Sequence, residues 1–137
     1  MKLNNIYNED AIDTMHRMPD GFIDLTVTSP PYDNLRSYNG YTFNFQCIAK
    51  ELYRVTADGG IVVWVVSDAT INGSETGNSL RQALYFMECG FNLHDTMIYT
   101  SDKIPLNHNR YEQGFEYMFV LSKGKPKTFN PIMIPCV

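Results

Sequence analysis

The sequence predicts an α/β fold, a mostly parallel sheet with a late antiparallel strand pair. Three observations lead there. Strand-like runs rich in β-branched residues alternate with stretches of helical periodicity. One run, Ile61-Val62-Val63-Trp64-Val65-Val66, is almost continuously apolar, as strands of parallel sheets are. Two further strand-like runs, residues 91–99 and 115–121, follow each other with only a polar loop between them.

Taken in order, Leu3 to Tyr7 reads as a short strand. Glu9-Asp10 opens a helix reaching about Arg17, with Ala11, Ile12, Met15 and Met18 at helical spacing. Pro19-Asp20-Gly21 is a turn. Phe22 to Thr28 reads as a buried strand halted by two prolines, and a polar, aromatic stretch with an Asn39-Gly40 turn follows. A helix from about Phe43 to Val55 puts Phe45, Ile48, Ala49 and Leu52 on one side. Asp58-Gly59-Gly60 ends it and leads into the apolar strand, expected to be covered on both faces. Asp68 to Asn78 reads as a loop, and Ser79 to Cys89 as a helix stopped by Gly90.

Composition narrows the function classes. Of the 137 residues, 44% are hydrophobic and 19% charged, which describes a globular chain able to bury a core rather than a disordered one. No apolar run approaches the length of a membrane span, and Met1-Lys2-Leu3-Asn4-Asn5 lacks the apolar centre of a secretory signal. The three cysteines are too few and too scattered for a disulfide framework or a metal signature, which suits a reducing cytoplasm. His16, His94 and His108 are equally scattered, so no metal is expected. A net charge of −4 argues against a protein that coats nucleic acid electrostatically. The charge is uneven, however: residues 101–137 hold 5 Lys/Arg against 3 Asp/Glu, so a phosphate-facing surface belongs in the last third if anywhere.

The chemistry concentrates at Thr28-Ser29-Pro30-Pro31-Tyr32. Consecutive prolines hold φ at about −65° and carry no N–H, and each pushes its predecessor toward extended geometry. The result is a stiff bend at the C-terminal end of a strand, where open α/β sheets place ligands. The Ser29 hydroxyl and the Pro30 carbonyl can together accept hydrogen bonds from an exocyclic amine. Such acceptors hold the amine and favour its developing positive charge as it attacks an electrophilic methyl group. Tyr32 offers a flat face on which a base removed from the duplex can stack. Pro-Pro alone would mean no more than a strand stop. The run Asp24-Leu25-Thr26-Val27 before it, and the polar loop, helix and buried strand after it, make the functional reading the better one.

These residues resemble the catalytic motif of the DNA amino-methyltransferases, which carry Ser, Asp or Asn before Pro-Pro-Tyr/Phe and use S-adenosylmethionine. The lead-in Asn8-Glu9-Asp10 through Leu25, the block Glu51 to Val66 and the run Phe115 to Gly124 are similar to the family's neighbouring blocks. The resemblance implies a Rossmann-like methyltransferase fold, present here as a single, incomplete catalytic domain over residues 1–137. It implies methyl transfer from S-adenosylmethionine to the exocyclic amine of a DNA base. Ser29 favours cytosine over adenine, and adenine stays open. The family's Phe-x-Gly-x-Gly cofactor motif is absent: Gly59-Gly60 precedes a strand, and Gly73-Ser74-Glu75-Thr76-Gly77 lacks a strand before it. A C-terminal half or a second copy of the chain is therefore an expected partner besides DNA. The alternatives are a non-catalytic remnant that binds a partner or nucleic acid, and an RNA or protein amine methyltransferase.

The site expected on this resemblance has Ser29, Pro30, Pro31 and Tyr32 as catalytic residues. Asp10 and Thr28 stand toward the cofactor, although Asp10 serves equally well to start a helix. Arg36, Tyr38 and Arg110 stand toward DNA; Tyr41, His108, Tyr111, Lys123, Lys125 and Lys127 could add to that surface or be plain solvated residues. Asp68 reads as the start of a loop. Pro135-Cys136 matches the nucleophile dipeptide of carbon-directed cytosine methyltransferases but has no supporting strand, so it reads as chance.

Overall fold

In the computed structural model, residues 2–31, 43–100, 111 and 113–134 are described. Tyr32, Arg36, Tyr38, Tyr41, His108, Arg110 and the Pro135-Cys136 pair lie outside them, as does the Asn39-Gly40 turn. The elements are α1 (Ala11–His16), β1 (Ile23–Thr28), α2 (Phe45–Val55), β2 (Thr56–Val66), β3 (Thr70–Ile71), β4 (Ser74–Glu75), α3 (Asn78–Glu88), β5 (Asn92–Thr100) and β6 (Phe115–Ser122).

Four strands form one sheet in the order β1-β2-β6-β5. β1 runs parallel to β2, while β6 lies antiparallel between β2 and β5. Three of the four strands thus point the same way, and the late antiparallel pair expected from the sequence is β5–β6. The C-terminal ends of β1, β2 and β5 share one edge of the sheet.

The core lies on one face only. Val62, Trp64 and Val66 of β2 and Phe119 and Leu121 of β6 pack with Ile48, Ala49 and Leu52 of α2 and Ala83 and Phe86 of α3. Aromatic edges fix the geometry: Phe86 meets the Trp64 ring at 5.0 Å and the Phe45 ring at 5.3 Å, both near perpendicular. The bottom of this layer is tied by Arg54 at the end of α2. Its guanidinium donates to the Met15 and Met18 carbonyls at 2.7 and 2.9 Å and pairs with Glu51 and Asp20. These bonds fasten the α1 lead-in to α2 and hold the Glu51 carboxyl below its ordinary range.

Between Thr56 and Ile61 the β1–β2 register slips, because five steps of β2 oppose two of β1. Gly59 and Gly60 make that bulge possible. Gly59 sits at φ +77° and donates to the Lys123 carbonyl at 2.6 Å, and a Cβ on Gly60 would stand 3.1 Å from the Asp24 carbonyl of β1.

Three expectations need correction. Residues 3–7 form no strand; Asn4 turns at φ +58° and the Tyr7 hydroxyl closes the segment onto Lys2. The stretch from Asp68 is not all loop, since Asn72 (φ 51°) and Gly73 (φ 79°) turn the small β3–β4 hairpin. Neither β1 nor β2 is covered on both sides by the described residues. In β1, Leu25 is 59% and Val27 65% exposed, and Ile61, Val63 and Val65 of β2 are half-buried. The three helices among the described residues lie on the opposite face.

Candidate functional site

The strand-end motif sits where the sheet topology places ligands. Thr28 is in register with Trp64 and is half-buried; Ser29 is exposed, Pro30 is buried and Pro31 is partly covered. A buried Pro30 beside an exposed Ser29 gives the bend an anchored ring at the surface. The chain leaves this edge at Pro31 and returns to it at Phe43. There Phe43 stacks on the Trp64 ring at 6.3 Å and Phe45 tilts against it at 5.9 Å. Trp64 is itself fixed, because its indole N–H donates to Gln82 Oε1 of α3 at 2.8 Å. Phe43 and Phe45 thus rest on a fixed aromatic block; Tyr32, Arg36 and Tyr38 lie outside the described residues. Sequence reading missed Trp64 and Gln82 as parts of this support, since a tryptophan in an apolar strand signals only core.

A second segment belongs to the same edge. β5 ends at Thr100, which pairs with Phe115 at the start of β6. Thr100 and Phe115 therefore stand at the same end of the sheet as the C-terminal ends of β1 and β2, and Tyr111 is fully exposed; His108 and Arg110 lie outside the described residues.

Other expected residues take structural positions. Asp10 caps α1: its side chain accepts from the Ile12 N–H at 2.7 Å. Asp68, at the end of β2, is more than a loop start. Gly77 heads α3 in the left-handed region without a side-chain cap. Asp68 supplies the missing acceptor, receiving the Ser79 N–H and the Thr76 hydroxyl at 3.0 Å each, along with the Ser79 hydroxyl. Burial pushes its carboxyl up, but these donors outweigh it and the group ends below its ordinary value. Lys123 departs from the phosphate-facing expectation. Its ammonium donates to the Tyr53 and Thr56 carbonyls at 2.9 Å each and lies 4.7 Å from the Tyr53 ring centroid, closing the end of α2. Lys125 and Lys127 are exposed. Among the described residues no group of three or more His, Cys, Asp or Glu could hold a metal ion.

Comparison with known proteins gives this edge its context. Residues 23–135 match the DNA methylase family model. Over 109 residues the chain is 72% identical to the orphan methyltransferase M.BamHII of Bacillus amyloliquefaciens, covering 79% of this chain and 41% of that protein. It is 26% identical over 166 residues to the type II methyltransferase M.MthZI of Methanothermobacter thermautotrophicus, covering 93% of this chain and 46% of that one. Among solved structures, the cytosine-N4-specific PvuII DNA methyltransferase superposes with a TM-score of 0.74 at 19% identity, over 88% of this chain and 50% of that chain. A DNA modification methylase of Thermus thermophilus, solved with S-adenosyl-L-methionine, superposes at 0.67 with 21% identity, over 90% and 56%. The structural likenesses establish the α/β methyltransferase fold. The chain spans about half or less of the length of each of these relatives.

Proposed function

Since this chain belongs to the DNA amino-methyltransferase family, we propose that its Ser29-Pro30-Pro31-Tyr32 edge serves methyl transfer to an exocyclic amine in DNA. The observation that carries this reading is the placement of the motif: an exposed Ser29 next to a buried Pro30 at the end of β1. In this mechanism the Ser29 hydroxyl and the Pro30 carbonyl accept the two amine hydrogens and fix the direction of the nitrogen lone pair. The rigid bend keeps those acceptors in place without reorganisation as positive charge builds on the nitrogen. Tyr32 stacks on the extruded base, while Arg36, Tyr38 and Arg110 hold the DNA backbone around it.

S-adenosylmethionine, with which a structural relative was solved, supplies the methyl group when bound. Two residues carry groups of a chemistry that suits it. Thr28 is a half-buried hydroxyl adjacent to Ser29, and Asp10 is a partly covered carboxylate with one oxygen on the α1 cap. Thr28 would fix the donor beside the acceptor pair, and Asp10 would bind a polar group of it. Cytosine is the favoured base: Ser29 precedes Pro-Pro-Tyr here, and the PvuII relative is described as cytosine-N4-specific. Adenine remains the alternative target.

The test is transfer of labelled methyl to DNA, RNA and protein in parallel by an assembly containing this chain. Ser29→Ala combined with Tyr32→Ala should abolish transfer to DNA while circular dichroism stays unchanged. Undiminished transfer, or transfer confined to RNA or protein, rejects the proposal. A second reading is a partner-binding chain without catalysis. Calorimetric titration with S-adenosylmethionine separates the two, since tight binding by residues 1–137 alone counts against the non-catalytic reading.

A further inference from the structure

We infer that Gln82 of α3, acting through Trp64, is a positioning residue for the motif edge: its bond to the indole sets the ring against which Thr28 and Phe43 are placed. The inference rests on the reading of Ser29-Pro30-Pro31-Tyr32 as the methyl-transfer site. Trp64 is 1% exposed and neighbours three other rings, Phe43 at 6.3 Å, Phe45 at 5.9 Å and Phe86 at 5.0 Å between centroids. Those contacts are apolar, and rings at such distances tolerate more than one tilt. The hydrogen bond from the indole N–H to Gln82 Oε1, 2.8 Å long, is directional. An indole has a single N–H on one edge, so this bond decides which edge of the ring faces α3 and which faces Phe43.

The core has no need of that pair. The buried cluster that contains Trp64, with Ile48, Ala49, Leu52, Val62 and Phe119 among its members, is otherwise apolar. A phenylalanine would fill the same layer with no polar atom to satisfy. A donor and an acceptor placed together in an apolar layer select one arrangement out of several. Gln82 is itself held. It lies one turn along α3 from Ser79, on the same side of the helix, and Ser79 donates its N–H and its hydroxyl to Asp68. The first turns of α3 are thus tied to β2 at Trp64 and just beyond the strand's end at Asp68.

The other side of Trp64 meets the motif. Thr28 is its partner in the parallel β1–β2 pair, so both side chains stand on the helix face of the sheet, and Ser29 follows directly. Phe43, stacked on the ring, precedes Asn44, whose side chain accepts from the Cys47 N–H at 3.2 Å and starts α2. The strand that delivers the acceptors and the helix that follows the motif therefore take their positions from one ring. Reactions between held groups are steep in distance, an error of about 1 Å costing up to about 100-fold in rate. The Ser29 and Pro30 acceptors act as charge builds on the amine, so a displaced ring lowers kcat and spares KM for DNA.

The experiment measures methyl transfer to DNA and hydrogen exchange in the assembly containing this chain. Gln82→Leu removes the acceptor at similar size. Its kcat should fall about tenfold, with KM for DNA changed less than about twofold. Amides of residues 43–47 should exchange about fivefold faster, while those of residues 51–55 hold. Gln82→Glu keeps an acceptor and should match wild type in both readouts. Trp64→Phe removes the donor and should lower kcat as Gln82→Leu does, and the double variant should be no worse than Trp64→Phe alone. Phe91→Leu, a core change just before β5 at the opposite edge of the sheet, should lower Tm and leave kcat unchanged. Wild-type kcat and exchange in Gln82→Leu, losses that multiply in the double variant, or an equal kcat loss in Phe91→Leu overturns the inference. If wild type transfers no methyl to an amine, the reading of the edge fails on that result alone. The exchange comparison of Gln82→Leu with Gln82→Glu then still supports or overturns the tie.

Discussion

The two faces of the sheet are built from the same kinds of residue on the same strands and meet opposite surroundings. Toward the helices, Val62, Trp64 and Val66 are at most 1% exposed; from the same sheet's other side, Leu25 and Val27 are more than half exposed. The difference shows that an apolar strand pattern states which faces need cover, not which faces have it. The near-continuous apolar run of β2 is the pattern of a strand enclosed by two layers. Among the described residues one of those layers is supplied. The helix side holds the fold together, whereas the other side has no such layer among the described residues.

Substitutions sharpen this comparison, since equal chemistry should have unequal effects on the two faces. Trp64→Ala should be the most damaging, lowering unfolding free energy by about 3–5 kcal/mol, because it empties the centre of the aromatic cluster and orphans Gln82. Chemical denaturation measures it; a loss comparable to that of a surface change would break the account of where the core lies. Asp68→Asn should be intermediate, at about 1–2 kcal/mol, since it weakens the side-chain acceptor described at the head of α3. Its pH dependence has a defined sign. The carboxyl lies lower in the folded chain than in the unfolded one, so its contribution is complete above the ordinary carboxylate value and fades as pH falls through the lower, folded value. Asp68→Asn should therefore remove part of the acid sensitivity of thermal unfolding and leave the neutral-to-alkaline profile parallel to wild type. Val27→Ser should be the mildest, within about 0.5 kcal/mol for residues 1–137 alone. A loss as large as that of Trp64→Ala would mean that the bare face is covered within this chain.

Much of the fold was legible because its signals are local. Helical spacing and glycine or proline stops placed α2, α3, β1, β5 and β6 to within two residues, whereas β2 starts five residues before the expected Ile61 and takes in Asp58-Gly59-Gly60. Asn72-Gly73 between Ile71 and Ser74 was a readable hairpin signal that went unused. What could not be read depends on contacts distant in sequence. Nothing near Lys123 announces that its ammonium closes a helix ending about 70 residues earlier, and nothing near Asp68 announces that it caps α3 across the hairpin. The motif's stiffness was legible because proline rigidity is intrinsic to the residue. Its support by Phe43, Trp64 and Gln82 was not, because stacking across strands leaves no mark in spacing. The exposure of β1 was misjudged for the same reason: the pattern asks for a second layer without saying which polypeptide provides it.

The measurement that bears most directly on the central claim is identification of the methylated base. DNA treated with labelled S-adenosylmethionine and an assembly containing this chain is hydrolysed to nucleosides and separated by chromatography. Label on an exocyclic nitrogen, with N4-methylcytosine dominant, is the result this arrangement of acceptors predicts. Label on the C5 carbon of cytosine would contradict it, because a ring carbon offers no N–H donors for Ser29 and Pro30 to hold and requires a covalent nucleophile instead.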